Sequence, residues 1–266
     1  MFICNAPLFV HSDTARGLIA AKRAGAKVDA RDLHKSLLIF LEQQVEGGRQ
    51  NLLFPAFNYD YGAARVFDVD KDPIQVGALA EWLRQSNQMV RSAVPFFSFL
   101  STRDLALDAS GTLNPFGQKS GFQWLVDHDA TLLLFGAPTN SLTFIHYVEE
   151  MSGGPVYRYR KQFPGQIMQN GVARDVEFMM HVRPQGAALE YDWKRIETDL
   201  SAEGILIQAD YSQNMKWLNA RKLKHFWSDR LVQDPFYLLD AASRTYFEGI
   251  TNGGRQRVRQ EDFEDV

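Results

Sequence analysis

Thr131-Leu132-Leu133-Leu134-Phe135 is an unbroken apolar run, cut off by Gly136-Ala137-Pro138. A strand with no polar alternation is one covered on both faces, which is the habit of parallel sheets. Two shorter runs precede it, Pro7 to Val10 and Asn51 to Phe57, and Pro55 marks a bulge or an end in the second. Between them Asp32 to Val45 carries Leu33, Leu37, Leu41 and Val45 on one helical stripe, stopped by Gly47-Gly48. Pro73 to Gln85, Ser120 to Val126 and a stretch beginning near Leu142 read as further helices, and Phe96 to Leu100 as a short apolar segment. This alternation of strand and helix demands an α/β layered core around a largely parallel sheet.

The second half changes character. Val156 to Phe163 alternates apolar or aromatic residues with basic ones, Val172 to Val182 is a second extended run, and Asn170-Gly171 between them is a hairpin turn signal. Tyr191 to Glu203 and Ser212 to Val232 read as helices, and the charged stretch from Arg255 is expected to fray. No repeat or low-complexity linker divides the chain. The expectation is one domain over residues 1–266 with an antiparallel hairpin appendage.

Charge and cysteine content narrow the function. Lysine and arginine total 29 against 32 acidic residues, a net charge of -3. No basic field exists to hold nucleic acid. The single cysteine, Cys4, excludes an intramolecular disulfide and a cysteine-rich zinc site. The opening Met1-Phe2-Ile3-Cys4-Asn5 lacks a basic leader region, and no apolar run reaches membrane-span length. A soluble cytoplasmic protein with neither a nucleic-acid nor a membrane partner is expected, and a homo-oligomer is left open.

The densest chemistry lies in Thr143-Phe144-Ile145-His146-Tyr147-Val148-Glu149-Glu150. This segment follows the apolar run and its turn, and α/β folds place ligands beyond the carboxyl ends of strands. On a helix His146 neighbours Glu149 at i,i+3 and Glu150 at i,i+4. A carboxylate so placed fixes the imidazole tautomer and stabilises the imidazolium, which makes a general base for near-neutral pH. The same spacing also describes a surface salt bridge, and spacing alone leaves both open. No HExxH motif occurs, and no two of the histidines stand at i,i+3 or i,i+4, so no metal is expected. A GxSxG elbow is missing, and Cys4 reads as a small buried hydrophobe. Neither GxxxxGK[ST] nor GxGxxG occurs, so a phosphate would be held by scattered amides and basic side chains.

Ordered blocks carry a family resemblance up to about residue 240. Val10-His11-Ser12 resembles a VHSS loop, with Asp13 in place of the second serine, and Leu53 to Asp60 resembles MPTFTYD. Val66-Phe67-Asp68, Pro73 and Gly77-Ala78-Leu79 follow an FD…P…MGAL pattern. Val90-Arg91-Ser92, Pro95 and Ser98 follow VRSxHPxxS, with Val94 replacing the histidine. Thr143, His146 and Glu149 match TxxHxxE, and Val176-Glu177-Phe178 fits a later strand. In this order the blocks resemble the aminoglycoside 3-N-acetyltransferase, or antibiotic N-acetyltransferase, family.

The resemblance implies a three-layer α/β/α sandwich with a central mostly parallel sheet. It also implies a CoA-dependent N-acyltransferase in which an amine attacks acyl-CoA directly, without an acyl-enzyme or a metal. His146 then takes the amine proton and Glu149 orients it. Thr143 either donates to the thioester oxygen or caps its helix. CoA is implied along His11, Ser12 and Asp13, along Arg91, Ser92 and Ser98, and at Lys119 and Ser120. Asn58, Tyr59, Asp60 and Glu150 are implied on the acceptor side. Residues Tyr211 to Gln260 hold nine basic against four acidic residues among many aromatics. Such a stretch suits a nucleotide diphosphate better than a polycationic drug. The acceptor expected is therefore a dTDP-linked 3-amino-3,6-dideoxy sugar of lipopolysaccharide assembly, taking acetyl or a 3-hydroxybutanoyl-like group. Aminoglycoside 3-N-acetylation and a non-catalytic ligand-binding relative are the alternatives.

Overall fold

The structure, a computed structural model, describes residues 4–105, 107 and 112–264. Met1 to Ile3, read above for a leader, lie outside the described residues. The chain runs β1 (Leu8–Ser12), α1 (Thr14–Arg23), α2 (Leu33–Glu42), β2 (Leu52–Pro55), α3 (Tyr61–Ala64), β3 (Val66–Asp68), α4 (Ala78–Gln85), β4 (Val90–Arg91) and β5 (Phe99–Ser101). It continues with β6 (Thr112–Leu113), α5 (Gly121–Asp127), β7 (Thr131–Phe135), α6 (Phe144–Met151), β8 (Tyr159–Gln169) and β9 (Val172–Val182). The last elements are α7 (Trp193–Ala202), β10 (Ile207–Ala209), β11 (Ser212–Asn219), α8 (Ala220–Gln233) and α9 (Ala241–Ile250).

A seven-stranded sheet, in the order β10-β11-β7-β1-β2-β5-β4, forms the middle layer. Its centre is the parallel trio β7-β1-β2, and antiparallel strands extend both edges. Alternate residues of the trio feed opposite cores, as the pleat requires. Leu8, Val10, Leu52, Phe54, Leu133 and Phe135 pack against α1, α2 and α4. Phe9, Leu53, Leu132 and Leu134 pack against α5, α6, α7 and α8, where Trp227 is fully buried. Apolar residues on both faces of one strand are what the unbroken run at Thr131–Phe135 encodes, and the helices complete a three-layer sandwich.

A second, four-stranded sheet, β3-β8-β9-β6, is built on the expected hairpin. Asn170 and Gly171 both take positive φ, 51° and 76°, which is the twist a two-residue hairpin turn needs. Its inner face, which includes Phe67 of β3, meets Tyr61, Val94 and Phe96 in a separate aromatic core.

Three expectations are corrected. Ser212–Asn219 is a strand, paired antiparallel with β7, and the helix begins only at Ala220. Met215 and Trp217 serve the α1–α2 face while Leu218 serves the other, so no polar alternation marks the strand. The helix expected from Pro73 starts at Ala78, because Gly77 at φ 83° cannot continue it. Residues 255–264 do not fray: Val258 N donates to Val156 O at 3.0 Å, Arg257 donates to the carbonyls of Gly153 and Gly154, and Glu264 holds Lys161 and Tyr159.

Candidate active site

The parallel strands β1 and β7 end side by side, and their loops frame the site. Gly136, at φ 77°, turns the chain out of β7 so closely that an added Cβ would stand 2.4 Å from Gly17 N and 2.6 Å from Asp13 O. The start of α1 is thus pressed against the end of β7. Asp13 caps α1 by accepting from Arg16 N at 2.9 Å, and its own N donates to Phe135 O. On the other side the 139–141 turn leads into α6, anchored by Thr139 Oγ1 donating to Glu197 at 2.8 Å.

A cleft of ≈ 450 Å³ opens between these loops, bordered by His11, Tyr59, Thr143, His146, Tyr191 and Trp193. A second hollow of ≈ 490 Å³ adjoins it over Ser12, Asp13, Thr14 and Gly77. His11, Pro55, Val76 and Ser141 border both, so the two form one groove with two arms. Gly77 lets that groove form, because a Cβ there would meet Ser12 Oγ at 3.2 Å.

His146 presents its ring to the cleft from the first turn of α6. Its Nδ1 is 3.0 Å from Glu149 Oε2, which leaves Nε2 for whatever occupies the cleft. Glu149 is only 2% exposed, yet it is fully supported. Tyr157 and Tyr191 each donate to its Oε1 at 2.6 Å, and Arg158 Nε lies 3.6 Å from Oε2. Burial alone would raise its carboxyl, but Arg158, His146 and Tyr157 outweigh burial and hold it at about 2. Burial lowers the His146 imidazole from its ordinary value and Glu149 opposes that lowering. The result at neutral pH is a neutral imidazole backed by a fixed anion.

The residues implied by the resemblance divide. His11, Ser12, Asp13, Tyr59, Thr143 and His146 border the groove. Thr143 stands at the N-cap of α6, but its side chain makes no capping bond, and its hydroxyl makes only a long 3.5 Å contact to Ser141 O. Arg91 borders neither arm. It is buried, donates to Ser98 Oγ, Asp72 O and Ala56 O, and lies over the Phe67 ring. A guanidinium so committed and buried holds the loops together and lies off the groove. Ser98 Oγ donates to Ala56 O, Ser92 Oγ accepts from Phe99 N, and Ser120 caps α5 by accepting from Gln123 N. These three hydroxyls, with the exposed Lys119, also lie off the groove. Asn58 is buried and donates to Pro73 O, while Asp60 accepts from Gln75, so both shape the loop that carries Tyr59. Glu150 turns away from His146 toward Asn114 and toward Arg160 and His181 of the hairpin.

The basic, aromatic region does not reach the groove. No residue of 211–260 borders either arm. Trp227 and Phe247 are core, Lys216 pairs with Glu197, and Arg244 pairs with Asp234 and Glu248. Tyr157, Arg158 and Tyr191, which hold Glu149, went unassigned in the sequence. The alternation of tyrosine and arginine around residue 158 was their only trace. Among the described residues no group of three histidine, cysteine, aspartate or glutamate side chains gathers as a metal would need, and no helix is long and apolar enough to cross a membrane.

Residues 50–231 match the family model described as aminoglycoside 3-N-acetyltransferase. The chain belongs to that family. No curated protein matches it at the level of sequence. Among solved structures, AAC-IIIb as a binary complex with CoASH shares the fold at TM-score 0.68 and 18% identity, over 87% of this chain and 91% of that one. A mutant of aminoglycoside acetyltransferase AAC(3)-IVa, in complex with a gentamicin, aligns at TM-score 0.62 and 16% identity, over 89% and 86% of the two chains. The YokD protein from Bacillus subtilis aligns at 0.60 and 14% identity, over 87% and 88%. Val94, which departs from the VRSxHPxxS resemblance, is buried among Tyr61, Phe96 and Phe178.

Proposed function

We propose that this chain is a CoA-dependent N-acyltransferase that acylates an aminoglycoside or a closely similar amino sugar, with His146 as general base. The observation that carries the reading is the His146–Glu149 pair, whose free ring nitrogen faces a cleft continuous with the loop Ser12–Asp13. Family membership supports the reaction class, and CoASH and a gentamicin bound to proteins of the same fold support the two ligand classes. Acyl-CoA occupies the arm over Ser12, Asp13 and Gly77, and the amine enters between Tyr59, Trp193 and Glu190.

In the reaction the amine nitrogen attacks the thioester carbonyl carbon. Its proton passes to His146 Nε2, the imidazolium so formed is stabilised by Glu149, and the C–S bond breaks. The proton then goes to the departing thiolate, leaving an amide and free CoA thiol. Thr143 stands one turn before His146 with a hydroxyl held by only one long contact, and it donates to the acyl oxygen as negative charge develops there. Nucleotide-sugar acceptors lose their support, because the basic residues that suggested them border neither arm. A thiol-release assay with acetyl-CoA tests the choice. Gentamicin is expected to release thiol with kcat/KM well above that of a dTDP-amino sugar. The opposite ranking overturns the acceptor assignment, and no release with any amine overturns the enzyme.

A further inference from the structure

The acceptor arm of the groove has a charge pattern of its own. Among the described residues that border it, Glu190 is the one carboxylate, set against two guanidiniums, Arg158 and Arg183. Arg158 is balanced from behind by the buried Glu149. The imidazoles add no charge at neutral pH, since burial lowers His11 to about 4 and lowers His146 as well. The field an acceptor meets is therefore set chiefly by Arg183 and Glu190, and these two face each other, with Arg183 Nη1 3.5 Å from Glu190 Oε1. Arg183 directly follows β9. Glu190 is pinned through its main chain, its N donating to Ser243 Oγ at 2.8 Å and its O accepting from Asp240 N. The next residue, Tyr191, is the one whose hydroxyl donates to Glu149. The two side chains are 49% and 63% exposed, so they stand at the open rim of the cleft. A pair so exposed adds little to stability, and its consequence is the field it leaves over the cleft.

We propose that Arg183 sets acceptor specificity by charge, occupying Glu190 and discriminating against acceptors that carry several ammonium groups. The proposal rests on the acyltransferase reading and narrows its acceptor to amino sugars of low positive charge. A polycation is recognised by carboxylates distributed to meet its ammoniums, and a fixed cation among them repels it. Here it would meet a single carboxylate, already engaged. The Arg183 charge also extends to the reacting centre: burial acts first on the His146 imidazole, Arg158 adds to it, and Arg183 further disfavours the protonated form. An ammonium brought to the same place meets the same repulsion. Arg183 takes no proton and touches no reacting atom, so its influence falls on acceptor binding.

The test follows thiol release from acetyl-CoA with gentamicin, a polycation, in wild type, Arg183→Lys and Arg183→Gln. Removing the cation should raise kcat/KM by about tenfold, most of it through KM, because one charge is withdrawn from the neighbourhood of several ammoniums. The gain should shrink when salt is raised to about 0.5 M. Arg183→Lys keeps the charge and should stay within about threefold of wild type. Adding Glu190→Gln to Arg183→Gln should abolish the gain, since the carboxylate that was set free is then gone. With 3-amino-3-deoxyglucose, whose only amine is the one that reacts, Arg183→Gln should change kcat/KM by less than about threefold. No gain with gentamicin, an equal gain in Arg183→Lys, or an equal gain for the single-amine sugar overturns the inference and leaves the acyltransferase reading standing. Absence of thiol release with every amine, in wild type and Arg183→Gln alike, overturns that reading and the inference with it.

Discussion

At the scale of single residues the site depends on one buried anion. Glu149 is held ionised by Arg158, Tyr157 and Tyr191, and it in turn sets the tautomer and basicity of His146. Burial and the carboxylate act on the imidazole in opposite directions, and burial wins. An NMR titration of His146 should therefore show a midpoint below the ordinary imidazole value of about 6.5. Glu149→Gln removes the group that raises the pKa, so the midpoint should fall further and turnover should fall with it. An upward move contradicts the account. The same variant leaves Arg158 buried without its counter-charge and should cost about 3 kcal/mol or more of stability. The His146–Glu149 pair was legible because i,i+3 spacing on a helix is a local property. Glu150, at i,i+4, was equally eligible by spacing, and only the hairpin arginine and histidine that draw it away decide otherwise. Arg91 was misleading for a related reason. A guanidinium in a polar loop suggests a phosphate, but its carbonyl partners come from residues 56 and 72, which no local pattern reveals.

Elements follow the same division between local and long-range information. The hairpin was readable from Asn170-Gly171, and β7 from its unbroken apolar run. The edge strand β11 was not, since a strand covered on both faces can imitate a helix until its partner is known. Gly136 belongs to this scale, because it sets how closely α1 approaches the end of β7. Gly136→Ala should destabilise the protein by about 2–4 kcal/mol through backbone collision and positive φ together, and should damage acyl-CoA binding at Ser12–Asp13. Urea unfolding reads the first effect and calorimetry the second. A variant as stable as wild type would show that the crossing of α1 and β7 is looser than described.

For the whole molecule, strand polarity separates chemistry from structure. The groove lies at the carboxyl ends of β1 and β7, while Cys4 lies at their amino ends, buried, with Sγ 3.1 Å from Thr131 Oγ1. The thiol is thus on the far side of the sheet's length from the reacting groups. Cys4→Ser should leave kcat unchanged, and mass spectrometry with acetyl-CoA alone should detect no acylated protein. A mass gain of one acetyl group that disappears on adding amine would establish a covalent route instead. The layered α/β core was legible because its centre repeats one local rule, strand then helix, whereas the three layers were what the family resemblance implied. The acceptor was not, because overall charge and the 211–260 composition describe residues that do not line the cleft. The claim on which the account turns is that His146 takes the amine proton. The most direct measurement is kcat for His146→Asn with acetyl-CoA and gentamicin, alongside the calorimetric Kd for acetyl-CoA. The account predicts a fall in kcat of about 10²–10⁴-fold with Kd within about threefold of wild type. Turnover near the wild-type rate in a folded variant that binds acetyl-CoA normally would contradict it.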